Sequence, residues 1–155
     1  MPSTLSRRAV LALALLLPGL AVAQPEPEPA AARFLEIVPT GGHGPVRLAV
    51  SQVTRVGRAE GYTVIDTTAY VQQRTVEAPD SVVRRVAAAG QRLVALTDPS
   101  GQRTWVAPDR VVLVRESEAR HAAGARAAIV LVGLRFGQDV AVRETVDEVM
   151  AALGR

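Results

Sequence analysis

The sequence predicts an α+β fold: two tandem small β-rich units, each a few antiparallel strands followed by one C-terminal helix, packed as a pseudo-two-fold body. Three observations predict it. Arg33-Phe34-Leu35-Glu36-Ile37 returns as Arg92-Leu93-Val94-Ala95-Leu96, Val76 to Val82 is echoed by Val140 to Val146, and both stretches close in an alanine-rich run ending at Gly90 or Gly154. Self-similarity of this kind marks a repeated structural unit. The boundaries fall at 33–90 for the first unit and 91–155 for the second. A unit of about 60 residues buries only about 60% of its unfolded surface and is marginal alone. The chain has no cysteine to supply disulfides, so the two units are expected to share an interior, as the subunits of a homodimer do.

Residues 1–23 carry the pattern of a secretory signal peptide. Arg7 and Arg8 are a positive n-region, Ala9 to Leu20 is an apolar run, and Ala21-Val22-Ala23 is a small-x-small cleavage site. The run is well short of the roughly 20 residues a membrane-spanning helix needs, so no transmembrane segment is expected after signal removal. Ser6 to Leu11 also resembles a twin-arginine export motif; the Sec route is preferred, because paired arginines are common in ordinary signals. The expected location is periplasmic or secreted. Gln24-Pro25-Glu26-Pro27-Glu28-Pro29 opens a Pro/Glu-rich disordered linker, residues 24–32, which holds no apolar area to bury.

Within the second unit, Leu93 to Thr97 predicts a strand and Asp98-Pro99-Ser100-Gly101 the hairpin turn after it, with glycine supplying the positive φ. Thr104 to Val106 follows as a strand, interrupted by Pro108-Asp109. Val111 to Val114 and Ala128 to Val132 are uniformly apolar, which predicts central strands. Arg115 to Ala128 holds a net insertion of about six residues relative to the first unit, a longer surface loop or a short helical excursion. Val140 to Val142 leads into a helix that Thr145 and Glu148 open as a capping box, with Val146, Val149, Met150 and Leu153 as its apolar stripe. In the first unit Asp80 or Ser81 is the expected cap, and Val82, Val83, Val86 and Ala89 line the face. Glu144 and Asp80 then hold matching positions before the two helices, where the helix dipole favours a carboxylate.

The calculated pI of about 10.5 suggests a nucleic-acid partner until the charges are counted. All 18 basic residues are arginine, two leave with the signal, and the remaining 16 face 15 acids, a net charge of +1. Arginine does not titrate, which lifts the pI without an excess of charge. Acids and arginines alternate and aromatic residues are scarce, so no nucleic acid is expected.

Val94 to Gly101, Val106 to Val111 and Val140 to Val149 together resemble the small flagellar FlbD (SwrD-like) proteins. Those show a strand ending in Leu-Thr, a hairpin glycine, an Asn-Pro-Asp followed by an aliphatic, and a Val-Arg-Glu-Ser before a short helix. The likeness covers nearly all of the second unit, and the first looks like a diverged copy. It implies the fold and brings no catalytic residue to carry over. Ala107 stands where that family has asparagine.

Candidate chemistry is sparse. His43 sits in the glycine-rich stretch Gly41 to Pro45, and His121 lies in the insertion; both read as exposed loop histidines. Two histidines without neighbouring ligands make a poor metal site, so no metal and no cofactor is expected. The serines lack a nucleophile elbow. Trp105, the only tryptophan, reads as core or as an interface anchor. The expected function is an exported non-enzymatic binding module of the cell envelope, whose partner is another envelope protein or a second copy of itself. Its surface would use His43, Trp105, Arg120 and His121, on the loops Gly41 to Pro45, Asp98 to Gln102 and Arg115 to Ala128. The alternatives are a structural subunit of an envelope or flagellum-related assembly, and a small periplasmic hydrolase or metal-dependent enzyme using His43 and His121.

Overall fold

The computed structural model describes residues 33–134 and 138–154, all within one compact unit. The expected signal peptide and linker fall on residues outside that range. Among the described residues the fold is mixed α+β, with ten strands and two helices. The chain opens with a hairpin of β1 (Phe34–Ile37) and β2 (Val46–Ala49), then a 3-10 turn at Val50–Gln52. A meander of β3 (Val53–Ala59), β4 (Tyr62–Thr67) and β5 (Gln72–Thr75) leads to helix α1 (Pro79–Ala88). The same order follows again: hairpin β6 (Val94–Thr97) and β7 (Arg103–Val106), a 3-10 turn at Pro108–Arg110, meander β8 (Val111–Glu116), β9 (Ala127–Leu131) and β10 (Val140–Val142), and helix α2 (Val146–Leu153).

All strand pairs are antiparallel. The orders are β5-β4-β3-β7-β6 in a five-stranded sheet, β10-β9-β8 in a three-stranded one, and β1-β2. The early and late parts of the chain join where β3 meets β7: Arg55 stands opposite Val106, Val56 opposite Trp105, and the Ala107 N–H donates to the Thr54 carbonyl at 2.9 Å. The β3–β4 hairpin closes on Glu60-Gly61, both at positive φ (48° and 85°), the geometry whose twist matches antiparallel strands.

Two interiors form. Leu35, Ile37, Val56, Ile65, Val82, Val86 and Trp105 pack the first; Leu96, Val106, Ile129, Leu131, Val142 and Val149 pack the second. The alternation of β1, exposed then buried in pairs, and the Val82/Val86 stripe of α1 are what place these residues inside. Trp105 comes from the second hairpin yet fills the first interior, so that interior is not complete without a strand from the later part of the chain.

Several expectations are corrected. Each half has five strands, since β5 and β10 are strands in their own right. Val140 to Val142 therefore corresponds to β5, and the helices match three residues further on than the sequence echo places them: Val82 answers Val149, and Val86 answers Leu153. On that register Glu144 answers Glu77, while Asp80 lies inside α1. Neither Asp80 nor Ser81 caps α1; Pro79 takes the first helical position because its fixed φ suits it, and Ala78 is an N-cap without a side-chain bond. The Thr145–Glu148 capping box is formed in full. β9 is central and buried, but β8 stands at a sheet edge, with Val112 and Leu113 exposed. Met150 is exposed as well and lies off the buried stripe of α2.

Candidate functional site

The insertion folds as β8 running to Glu116, a loop over residues 117–126, and β9. The loop is held by the carboxylate of Asp139, whose side chain is only 3% exposed. Arg115 Nη2 and Arg120 Nη2 donate to Asp139 Oδ2 at 2.8 and 2.7 Å, and His121 Nε2 lies 3.0 Å from Oδ1. Burial opposes the ionisation of Asp139. The hydrogen bonds from Arg115, Arg120 and His121 outweigh it and hold the carboxyl below its ordinary range. Glu118 is likewise held low, first by the hydrogen bond from Arg120, whose guanidinium is in turn raised by it.

His121 is not an exposed loop histidine, because its ring is 5% exposed. Its Nδ1 accepts from the Glu118 N–H at 2.8 Å, which puts the neutral ring's proton on Nε2, where it points at Asp139. Both ring nitrogens are thus engaged, Nδ1 within the loop and Nε2 by Asp139. His43 is exposed on the separate β1–β2 loop, which is tied to β5 by the Thr40 N–H and the Arg74 carbonyl, 2.8 Å apart. Among the described residues, no group of three or more His, Asp or Glu gathers where it could hold a metal ion.

Of the four residues expected at an interaction surface, Arg120 and His121 come together as structural ties of one loop, and His43 stands apart. Trp105 is 7% exposed and belongs to the core. Two of the three expected loops do meet. Arg143 donates to the Pro99 carbonyl at 2.7 and 3.1 Å, and Gly124 faces that same oxygen across the insertion.

A second polar constellation is invisible to sequence reading. A cleft of about 590 Å³ opens between the meander β3–β5 and the segment after β9, lined chiefly by Arg55, Asp66, Tyr70, Gln72, Arg74 and Gly133. Arg55 Nε donates to Asp66 Oδ2 at 2.6 Å, and Gln72 Nε2 donates to Oδ1 at 2.8 Å, so both carboxylate oxygens are engaged. Arg74 also lines the cleft; among the described residues no carboxylate lies within ion-pair distance of it. Tyr70 adds an aromatic ring, 67% exposed, from a backbone at φ 62°. A bulky residue pays strain in that region, where glycine or asparagine would not.

The matching strands show what the fold itself asks for at this place. β3 carries a register shift between Val53 and Arg55, and β8 carries one between Val111 and Leu113, each directly after a 3-10 turn. Beyond the shift, β3 and β4 set Arg55 against Asp66, where β8 and β9 set Leu113 against Val130. The same strand geometry is therefore built with an aliphatic pair. A partly buried ion pair seldom stabilises more than such a replacement.

Comparison of the chain with protein-family models, with curated proteins and with solved structures finds no match in any of the three. No helix among the described residues is long and apolar enough to cross a membrane.

Proposed function

We propose that the protein is an exported binding module of the cell envelope whose ligand site is the cleft between β3–β5 and Gly133, and that its ligand is a small organic anion with an apolar part. The observation that carries this is the Arg55–Asp66–Gln72 cluster on the cleft wall, at a place the fold fills with Leu113 and Val130 in its other meander. Asp66 neutralises Arg55, while Arg74 donates to Gln72 Oε1 at 3.4 Å and among the described residues has no carboxylate within ion-pair distance; Tyr70 and Val71 offer an apolar flank. Arg74 would take the carboxylate, Gln72 a second polar atom, and the Tyr70 ring the apolar body. Binding rather than turnover fits because the one buried acid of the cleft is already held by two donors. The FlbD likeness agrees with a role without catalysis.

The test is titration with benzoate, acetate and inorganic phosphate, followed by amide chemical shifts. Benzoate should perturb β4, β5 and Gly133 more strongly than acetate does, and both Arg74→Ala and Tyr70→Gly should weaken it at least about tenfold, near 1.4 kcal/mol. Tyr70→Gly should also raise folding stability by about 1 kcal/mol by relieving the positive φ. Shifts confined to the 117–126 loop, or turnover of a generic substrate panel lost on His43→Ala, would refute the reading. Export is checked separately by the mass of the N-terminus recovered from an envelope fraction, expected at Gln24.

A further inference from the structure

The two meanders differ at their outer edge as well as in their polar wall. β3 is covered by β7, and Trp105 fills the space between β3 and α1 within the first interior. β8 is the structural counterpart of β3 but ends its sheet. The strand that would cover it, by the same hairpin register, is β2, which pairs with β1 and presents exposed Arg47 where β7 presents Trp105. An arginine cannot fill an aliphatic groove without burying its charge, and the edge stays open. The result is legible in two matched residues: Thr54 on β3 is fully buried, and Val112 on β8 is 59% exposed. Beside it a groove of about 420 Å³ runs between β8 and α2, walled by Pro108, Val112, Leu113, Val114, Met150 and Leu153.

We propose that this edge is a self-association surface: two copies of the chain pair β8 against β8, antiparallel across a two-fold axis, in one sheet of order β10-β9-β8-β8-β9-β10. Three features favour a second copy as the occupant. The strand is self-complementary about Leu113, which has a valine on either side at Val112 and Val114. Antiparallel pairing about Leu113 therefore sets Leu113 against its own copy and Val112 against Val114, faces Val111 to Arg115, and brings no like charges opposite one another. A two-fold axis normal to the sheet also places both α2 helices on the same face, so that Met150 and Leu153 of each flank the new strand pair, as α1 flanks β3 and β7. Finally, β8 on β8 closes as a dimer, whereas β8 on any other edge of the chain would leave edges to be closed in a ring or extended into an open fibre. A six-residue strand and one groove make a smaller contact than a standard interface, so the dimer is weak and reversible.

Sedimentation of the purified chain from about 5 to about 500 µM should show a monomer–dimer equilibrium. Val112→Lys should raise its dissociation constant at least about tenfold. Phe34→Lys, a matching change at an exposed site on β1, should leave it unaltered. Hydrogen exchange on the wild type supplies a readout independent of any variant: β8 amides should gain protection as concentration rises, and β5 amides should not. A wild type that stays monomeric throughout overturns the proposal, as does a dimer weakened by Phe34→Lys but not by Val112→Lys. Protection of β8 that is independent of concentration, or that appears only on adding an extended aliphatic peptide, overturns it too, and assigns the edge to another strand.

Discussion

Gly133 is the residue on which the cleft wall turns, and replacing it by alanine is the sharpest test of the architecture. Its backbone sits at φ +83°, and an added Cβ would lie 2.0 Å from the Thr67 carbonyl oxygen, 2.6 Å from Thr68 Cα and 2.8 Å from Thr67 C. None of these is the end of a flexible side chain, so the backbone itself must move. Alanine at positive φ costs about 1–2 kcal/mol by itself. Retreat of the segment would also strain the bond from the Val132 N–H to the Arg110 carbonyl, 2.9 Å, and that from the Leu134 N–H to the Leu131 carbonyl, 3.3 Å. The total loss is expected at about 3–5 kcal/mol. Gly124 gives the control: φ is +89°, but the nearest atom to an added Cβ is the Pro99 carbonyl oxygen at 3.8 Å, an ordinary contact. Gly124→Ala should therefore cost only the conformational part, about 1–2 kcal/mol. The difference between the two, measured as unfolding free energies in urea, isolates the steric contact between the post-β9 segment and the β4–β5 turn. In thermal melts it should appear as a gap of roughly 5–10 °C. Equal losses for the two variants would refute the close approach, and with it the far wall of the cleft.

Three further outcomes rest on electrostatics and on helix ends. Asp139 is held below its ordinary carboxyl value of 3.8, so its contribution to stability is fully present above that pH and is lost as pH falls through the lower folded value. Asp139→Asn should cost about 2 kcal/mol at neutral pH by stripping the charge from three donors, and should flatten the fall of stability in the acid range; an unchanged acid profile would show the loop to be held by something else. Thr145→Ala should cost about 1 kcal/mol through the lost cap of α2, and Ala78→Ser, on exposed backbone already in cap conformation, should add about 0.5–1 kcal/mol to α1; urea midpoints check both.

The contrast between α1 and α2 shows where sequence reading reaches and where it stops. The box of Thr145 and Glu148 is local chemistry, complete within four residues, and it holds in full, with the Thr145 N–H keeping the Glu148 carboxyl low. Asp80 and Ser81 have equally good capping side chains, yet Pro79 fixes the helix start one residue before them and leaves those oxygens inside the first turn. Local type proposes, and backbone register decides.

Register also accounts for what lay beyond reach in the sheets. Val111 to Val114 reads as a central strand because all four residues are apolar; nothing within those residues says that Arg47 on a distant hairpin will fail to cover them. Arg55 and Asp66 stand eleven residues apart and look like ordinary exposed charges until the shift after Val53 slides β3 against β4 and sets them opposite one another. In the other meander the same shift sets Leu113 opposite Val130. A single irregularity of pairing, used in both meanders, thus faces a charged pair into a cleft in one and leaves an aliphatic pair beside an open edge in the other. The side chains set opposite one another just beyond the shift, Arg55 with Asp66 and Leu113 with Val130, differ in kind between the two meanders.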